Sequence, residues 1–250
     1  MELEVPVIGI LRGVEGDFFG EVMQVSFAAG LTAMEVTMNT PGAEEIVADY
    51  RPAVPGGKLL GMGTIRNLEE ARRGVGAGAM FLVTPNLDTR VIEYAKKEGV
   101  PIVAGALTPT EVYSAWAAGA DLIKVFPCGA MGGPQYIKDL LGPFDHLRFV
   151  AVGGVTLANL PEYFGAGAAA VGVSTSLFGG KALREKNLDQ IGQNVKNFIE
   201  HCPRGKDRVL SLPLLAKVTS FSRRLSHVQT GNQGYRLYCP RRRLDEQMAV

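Results

Sequence analysis

The chain has 250 residues, 46% of them apolar and 20% charged, with a mean hydropathy of +0.10 and a formal net charge of +1. That composition excludes disorder throughout, and no apolar run reaches the roughly 18 residues of a membrane span; with Glu2 and Glu4 in place of a basic leader, a cytoplasmic protein is expected. Cys128, Cys202 and Cys239 are far apart with no CxxC spacing, which argues against a disulfide framework and against a zinc site.

Up to about residue 200, short β-branched or apolar runs alternate with helix-length amphipathic stretches. A strand at 5–11 precedes a helix at 18–29 that stops at Gly30, and a strand at 32–38 precedes a helix from Pro41 to about residue 50. The third strand, 58–63, leads to a helix capped by Asn67 and ending near Gly78, and the fourth, 80–84, to a helix at 88–98. A fifth strand at 101–104 is followed by a helix that opens on Thr108 with Glu111 three residues on, the spacing of a capping box. The sixth strand, 121–126, runs into a glycine-rich loop at 129–133 and a helix at 134–141. A strand at 148–152 with a helix at 156–165, and a strand at 168–173 with a helix at 182–201, complete the series. Eight βα units in about 200 residues point to a closed (β/α)₈ TIM barrel, since open parallel sheets more commonly stop at five or six strands. The 31 glycines, about 12% of the chain against roughly 7% on average, suit the turns and close backbone approaches that such a fold needs.

In a barrel of this kind the reacting groups lie at the C-terminal ends of the strands, so charged residues inside apolar strands are the anomalies to follow. The two-residue period of DLIKVFP puts Leu122, Lys124 and Phe126 on one face and Ile123 and Val125 on the other. If the latter pair meets the helices, Lys124 points into the barrel, where desolvation lowers its pKa and frees it to attack a carbonyl; the structural alternative is a snorkelling or ion-paired lysine. Glu35, flanked by apolar residues in AMEVTMN, is a general acid or base in the same setting, or half of a buried ion pair. Gly153 and Gly154 after the seventh strand, with Ser174 and Thr175 after the eighth, have the makings of a phosphate site. Arg12 and Thr64, after the first and third strands, supply a bidentate cation and a hydroxyl.

The runs VIGILRG at 7–13, EVTMNT at 35–40, GMGT at 61–64, VTPN at 83–86, KVFP at 124–127, GPQYIK at 133–138 and VAVGGV at 150–155 together resemble the 2-keto-3-deoxy-6-phosphogluconate aldolase family. The resemblance covers about residues 4 to 200, in order and on nearly every strand. It implies a class I aldolase on a (β/α)₈ barrel, usually a homotrimer, of Entner–Doudoroff-type metabolism, which splits a 2-keto-3-deoxy-6-phospho sugar acid into pyruvate and glyceraldehyde 3-phosphate. Residue by residue it makes Lys124 the Schiff-base lysine and Glu35 the proton shuttle. Thr64 binds pyruvate, Pro85 and Phe126 wall it, and Gly153, Gly154 and Thr175 hold the phosphate. No metal or other cofactor is implied.

Asn39 stands where the gluconate enzymes carry an arginine for the pyruvate carboxylate, which passes that duty to Arg12. Asn39, ILRG, VTPN and Val152 look like the branch acting on the galactonate epimer, whereas Gly142-Pro143-Phe144 looks like the gluconate branch; Ser174 replaces a glycine of the phosphate loop. Cleavage of 4-hydroxy-2-oxoglutarate, a metal-dependent aldolase or isomerase on the same barrel, and a catalytically idle phosphosugar-binding barrel are the competing readings.

From residue 203 onward ten Lys and Arg face three Asp and Glu, leaving 16 basic against 22 acidic residues before it. The segment 203–250 matches nothing in the family. With Arg223-Arg224, Arg241 to Arg243, Tyr235 and Tyr238 it is expected to be a solvated, poorly ordered basic tail rather than a nucleic-acid site.

Overall fold

The computed structural model describes residues 1–203; the expectations for the basic segment lie outside the described residues. Eight parallel strands close into a barrel in the order β1 to β8: Val7–Leu11, Ala33–Thr37, Leu59–Gly63, Leu82–Val83, Ile102–Ala106, Leu122–Val125, Phe149–Val152 and Ala170–Val173. Between and after them come α1 Gly16–Ala28, α2 Ala43–Tyr50, α3 Leu68–Gly76, α4 Thr89–Lys97, α5 Pro109–Ala117, α6 Pro134–Leu141, α7 Leu160–Gly165, α8 Thr175–Phe178, α9 Gly180–Arg184 and α10 Leu188–Glu200. The expected (β/α)₈ fold is what the chain adopts. Among the described residues, no helix is long and apolar enough to cross a membrane.

The period-2 pattern of the strands sorts side chains into two cores. Ile8, Ala33, Phe81, Val83, Val103, Leu122, Val150, Val152 and Ala170 fill the barrel, with Leu3 packed among them. The alternate residues, including Met34, Val36, Leu82, Ile123, Val125 and Ala151, face the helices. Burial of each such Val, Leu or Ile is worth about 1.5–3 kcal/mol against exposure, so a one-residue slip that inverted a strand is strongly disfavoured.

Helix starts follow their caps. The Asn67 side chain accepts from the Glu70 N–H, Asp88 from Arg90, and Asn187 from Gln190, while Thr108 and Glu111 form the reciprocal capping box.

Several element boundaries differ from expectation, among them the seventh helix, which starts at Leu160 rather than at 156. The fourth strand is regular only at Leu82–Val83, and past it the Thr84 hydroxyl donates to the Asn86 carbonyl and turns the chain. The fifth continues past Ala104 to Ala106, pairing Gly105 with Lys124. The single helix expected at 182–201 is two, α9 and α10, parted where Lys186, at φ +49°, precedes the Asn187 cap, and an unexpected short α8 stands before them, set off by Gly179 at φ +85°.

Candidate active site

All eight strands run the same way, so every residue that follows a strand lies on one rim of the barrel. Glu35, on β2, and Lys124, on β6, both point into the interior from below that rim, 1% and 6% exposed. Ile123 and Val125 pack against the helices, as the alternation requires. Burial raises the Glu35 pKa to about 7, against the opposing pull of the Lys124 and Arg12 charges. Burial also lowers the Lys124 pKa, opposed by Glu35 and reinforced by Arg12. The two charges therefore act on each other, with burial raising the carboxyl's pKa and lowering the amine's, the directions that acid–base and nucleophilic chemistry need. Glu35 Oε2 is buried with no hydrogen-bond partner among the described residues, leaving an acceptor or donor for a guest.

The space for Glu35 is made by Gly63 on β3. A Cβ there would stand 2.1 Å from Oε1 and 2.4 Å from the carboxyl carbon. The next residue, Thr64, holds φ +57°, a left-handed conformation that a β-branched side chain rarely takes. Its hydroxyl lies 3.5 Å from Arg12 Nη2, at the outer limit of hydrogen bonding. Arg12 itself is exposed, as is Asn39. The backbone beside Arg12 is fixed by buried hydroxyls: the Gly13 N–H donates to Thr40 Oγ1 at 2.9 Å, and Thr40 and Thr37 share a hydrogen bond at 3.1 Å.

On the opposite side the Lys124 ammonium lies 5.1 Å from the centroid of the Phe126 ring, itself 40% exposed on the rim. Pro85, half-buried, is brought in by Gly105: a Cβ at that position would lie 2.5 Å from the Pro85 carbonyl carbon, and the Gly105 N–H donates to Thr84 Oγ1 at 2.7 Å. Gly153 and Gly154 follow β7 at φ +91° and +81°. Ser174, half-buried, and Thr175, exposed, follow β8 on the neighbouring segment, where Thr175 begins α8.

Arg12, Asn39, Thr64, Pro85, Phe126, Gly153, Gly154, Ser174 and Thr175 thus share the rim that overlies Glu35 and Lys124. Sequence reasoning passed over the groups that hold them. Gly105 carries the readable signal, an isolated glycine inside a strand. Thr37 and Thr40 carry only a weak one, hydroxyls at the end of an apolar strand.

The family model "KDPG and KHG aldolase" matches residues 4–194. The 2-dehydro-3-deoxy-6-phosphogalactonate aldolase of Escherichia coli K12 is 34% identical over 201 residues, 80% of this chain and 97% of that one. Among solved structures, one described as native KDPGal is 31% identical with a TM-score of 0.75, covering 80% of this chain and 96% of its own. The KDPG aldolase of Legionella pneumophila, with pyruvate captured at low pH as a covalent carbinolamine intermediate, is 26% identical with a TM-score of 0.73, covering 78% and 94%. With its closed barrel and this span of matched sequence, the chain belongs to the KDPG and KHG aldolase family.

Proposed function

We propose that this chain is a class I aldolase in which Lys124 forms a Schiff base with the C2 ketone of a 2-keto-3-deoxy-6-phospho sugar acid. The observation that carries the reading is the buried Glu35 and Lys124 pair, the carboxyl pushed up to about 7 and the ammonium pushed down. Neutral Lys124 attacks C2, Glu35 delivers the proton that carries oxygen away as water, and an iminium results. Deprotonation of the C4 hydroxyl breaks the C3–C4 bond, and its electron pair moves into the iminium to leave an enamine. Glyceraldehyde 3-phosphate departs. Protonation at C3 and hydrolysis then release pyruvate and restore Lys124. The iminium supplies the electron sink, so the route needs no metal and no other cofactor.

Thr64 and Arg12 hold the pyruvate carboxylate in this reading, with Asn39 beside them, and Pro85 and Phe126 wall the apolar end. The N–H groups around Gly153 and Gly154, with the Ser174 and Thr175 hydroxyls, take the phosphate. The captured carbinolamine in the Legionella relative supports the covalent route. The long match to the phosphogalactonate aldolase favours the galactonate epimer as substrate. We carry forward a homotrimer and a cytoplasmic location on the same resemblance; light scattering reads the former.

Borohydride reduction in the presence of pyruvate tests the reading. A reduced pyruvate adduct on the peptide containing Lys124, absent in Lys124→Ala, is expected; no adduct, or full turnover by Lys124→Ala, overturns it. Turnover of the two phosphorylated epimers, compared at equal concentration, decides between gluconate and galactonate.

A further inference from the structure

The glycine turn after β7 is gripped from behind by a side chain that the reaction does not use. Asn159, at the start of α7, donates from Nδ2 to the Gly154 carbonyl at 2.9 Å, while its Oδ1 accepts from the Thr156 N–H at 2.8 Å. The Gly153 carbonyl accepts from the Gly129 N–H at 2.9 Å. The two turns touch: a Cβ on Gly129 would lie 2.9 Å from the Gly153 oxygen.

In a trans peptide the carbonyl and the N–H point in opposite directions. Anchoring the Gly153 and Gly154 carbonyls therefore turns the Gly154 and Val155 N–H groups the other way. Neither has an acceptor among the described residues. One helical turn beyond Asn159, buried Tyr163 continues the brace. Its hydroxyl sits under both turns, 3.2 Å from where a Cβ on Gly133 would lie and 4.0 Å from one on Gly154, while the Cys128 thiol donates to the Gly133 carbonyl at 3.5 Å and its N–H ties to β7 through the Val152 carbonyl at 2.9 Å. At i and i+4, Asn159 and Tyr163 address the same side of α7.

We propose that Asn159, which holds the Gly154 carbonyl, and Tyr163, whose hydroxyl packs under the Gly133 and Gly154 turns, are positioning residues for phosphate recognition, fixing the glycine turn so that the Gly154 and Val155 N–H groups present themselves as anion donors. This deepens the phosphate assignment given above and rests on it. Neither side chain touches substrate in this scheme. Their effect is confined to substrates that carry the phosphate.

The test compares kcat/KM for the 6-phosphorylated keto-deoxy sugar acid and for the same acid without phosphate, in wild type, Asn159→Ala and Tyr163→Phe. Loss of the Asn159 bond, or of the Tyr163 hydroxyl under the turns, is expected to raise KM for the phosphorylated substrate, and Ki for inorganic phosphate, about tenfold, with kcat and the unphosphorylated substrate little changed. Asn159 is only half-buried, so Asn159→Ala remains informative if Tyr163→Phe fails to fold. Equal losses on both substrates, or unchanged ratios, overturn the positioning role while leaving the phosphate site intact. A wild-type enzyme indifferent to the phosphate overturns the phosphate assignment itself, and this role with it.

Discussion

Glu35 and Lys124 stand on strands four places apart in a closed ring of eight, so they approach each other across the full width of the barrel. Each is an ionisable group placed where its charge is disfavoured, and each is partly relieved by the other. Such an arrangement costs stability and supplies reactivity: a carboxyl and an amine that would be fully ionised in water are brought toward a common pH.

The Glu35 shift fixes a pH dependence of stability. Its folded pKa of about 7 lies above its ordinary value of 4.5, so between those limits the native state binds more protons than the unfolded state. Stability therefore falls as pH rises from about 4.5 to about 7 and levels off above. Glu35→Gln, which cannot ionise, is expected to gain on wild type across that window by up to about 3 kcal/mol, at roughly 1.4 kcal/mol per unit. Urea titrations at pH 4.5 and 8 measure the gain; a constant difference between the two proteins contradicts the shift.

Lys124→Met removes a buried cation while keeping an unbranched side chain of similar length. Without the ammonium, Glu35 loses the strongest influence holding its pKa down and remains protonated at neutral pH. The variant is expected to be inactive yet more stable than wild type at pH 7 by about 1–2 kcal/mol, a rise in Tm of about 2–8 °C for a barrel of this size. A thermal melt that falls below wild type shows instead that the lysine is a net structural asset.

Gly63 and Gly61 lie on the same face of β3 and separate chemistry from packing. A methyl at Gly63 collides with the Glu35 carboxyl, whereas one at Gly61 would meet the Phe81 ring 2.5 Å away. Gly63→Ala is expected to displace the Glu35 carboxyl, the proposed proton shuttle, and lower kcat/KM about 100-fold, the scale of a misplaced catalytic group. Gly61→Ala overpacks the interior and costs about 1–3 kcal/mol of stability, with a smaller effect on rate. Parallel measurement of Tm and kcat/KM distinguishes the two; equal rate losses contradict the division.

Much of this was legible in the chain because barrel strands obey a strict alternation. Once Ile123 and Val125 are assigned to the helices, Lys124 has nowhere to point but inward, and Glu35 follows from its apolar flanks in the same way. The capping residues Asn67 and Thr108 announced their helices for a local reason, a side chain bonding within one turn. What alternation and local bonding do not encode is contact between distant turns. That Thr40 serves Gly13, that Gly105 makes room for Pro85, and that Asn159 grips Gly154 depend on loops brought together only after the ring closes. The division of the expected final helix into two was hidden for a related reason, since Lys186 adopts φ +49°, a conformation that lysine does not advertise.

The Thr37–Thr40 pair supplies the last prediction. Thr40 Oγ1 accepts the Gly13 N–H and shares a hydrogen bond with Thr37, so the buried hydroxyl joins the loop after β1 to the loop after β2 directly beside Arg12. Thr40→Val keeps the shape and removes the hydroxyl, leaving a part-buried N–H and a buried hydroxyl without their partner, at a cost of about 1–3 kcal/mol. Because Arg12 precedes Gly13, the loosened turn also lets the guanidinium stray from the pyruvate carboxylate that the proposed mechanism has it hold. The pyruvate concentration needed for half-maximal borohydride trapping at Lys124 is therefore expected to rise several-fold in Thr40→Val and to return toward wild type in Thr40→Ser, which restores the hydroxyl. A loss of stability with an unchanged trapping curve assigns the pair to packing alone and releases Arg12 from its dependence on Thr40.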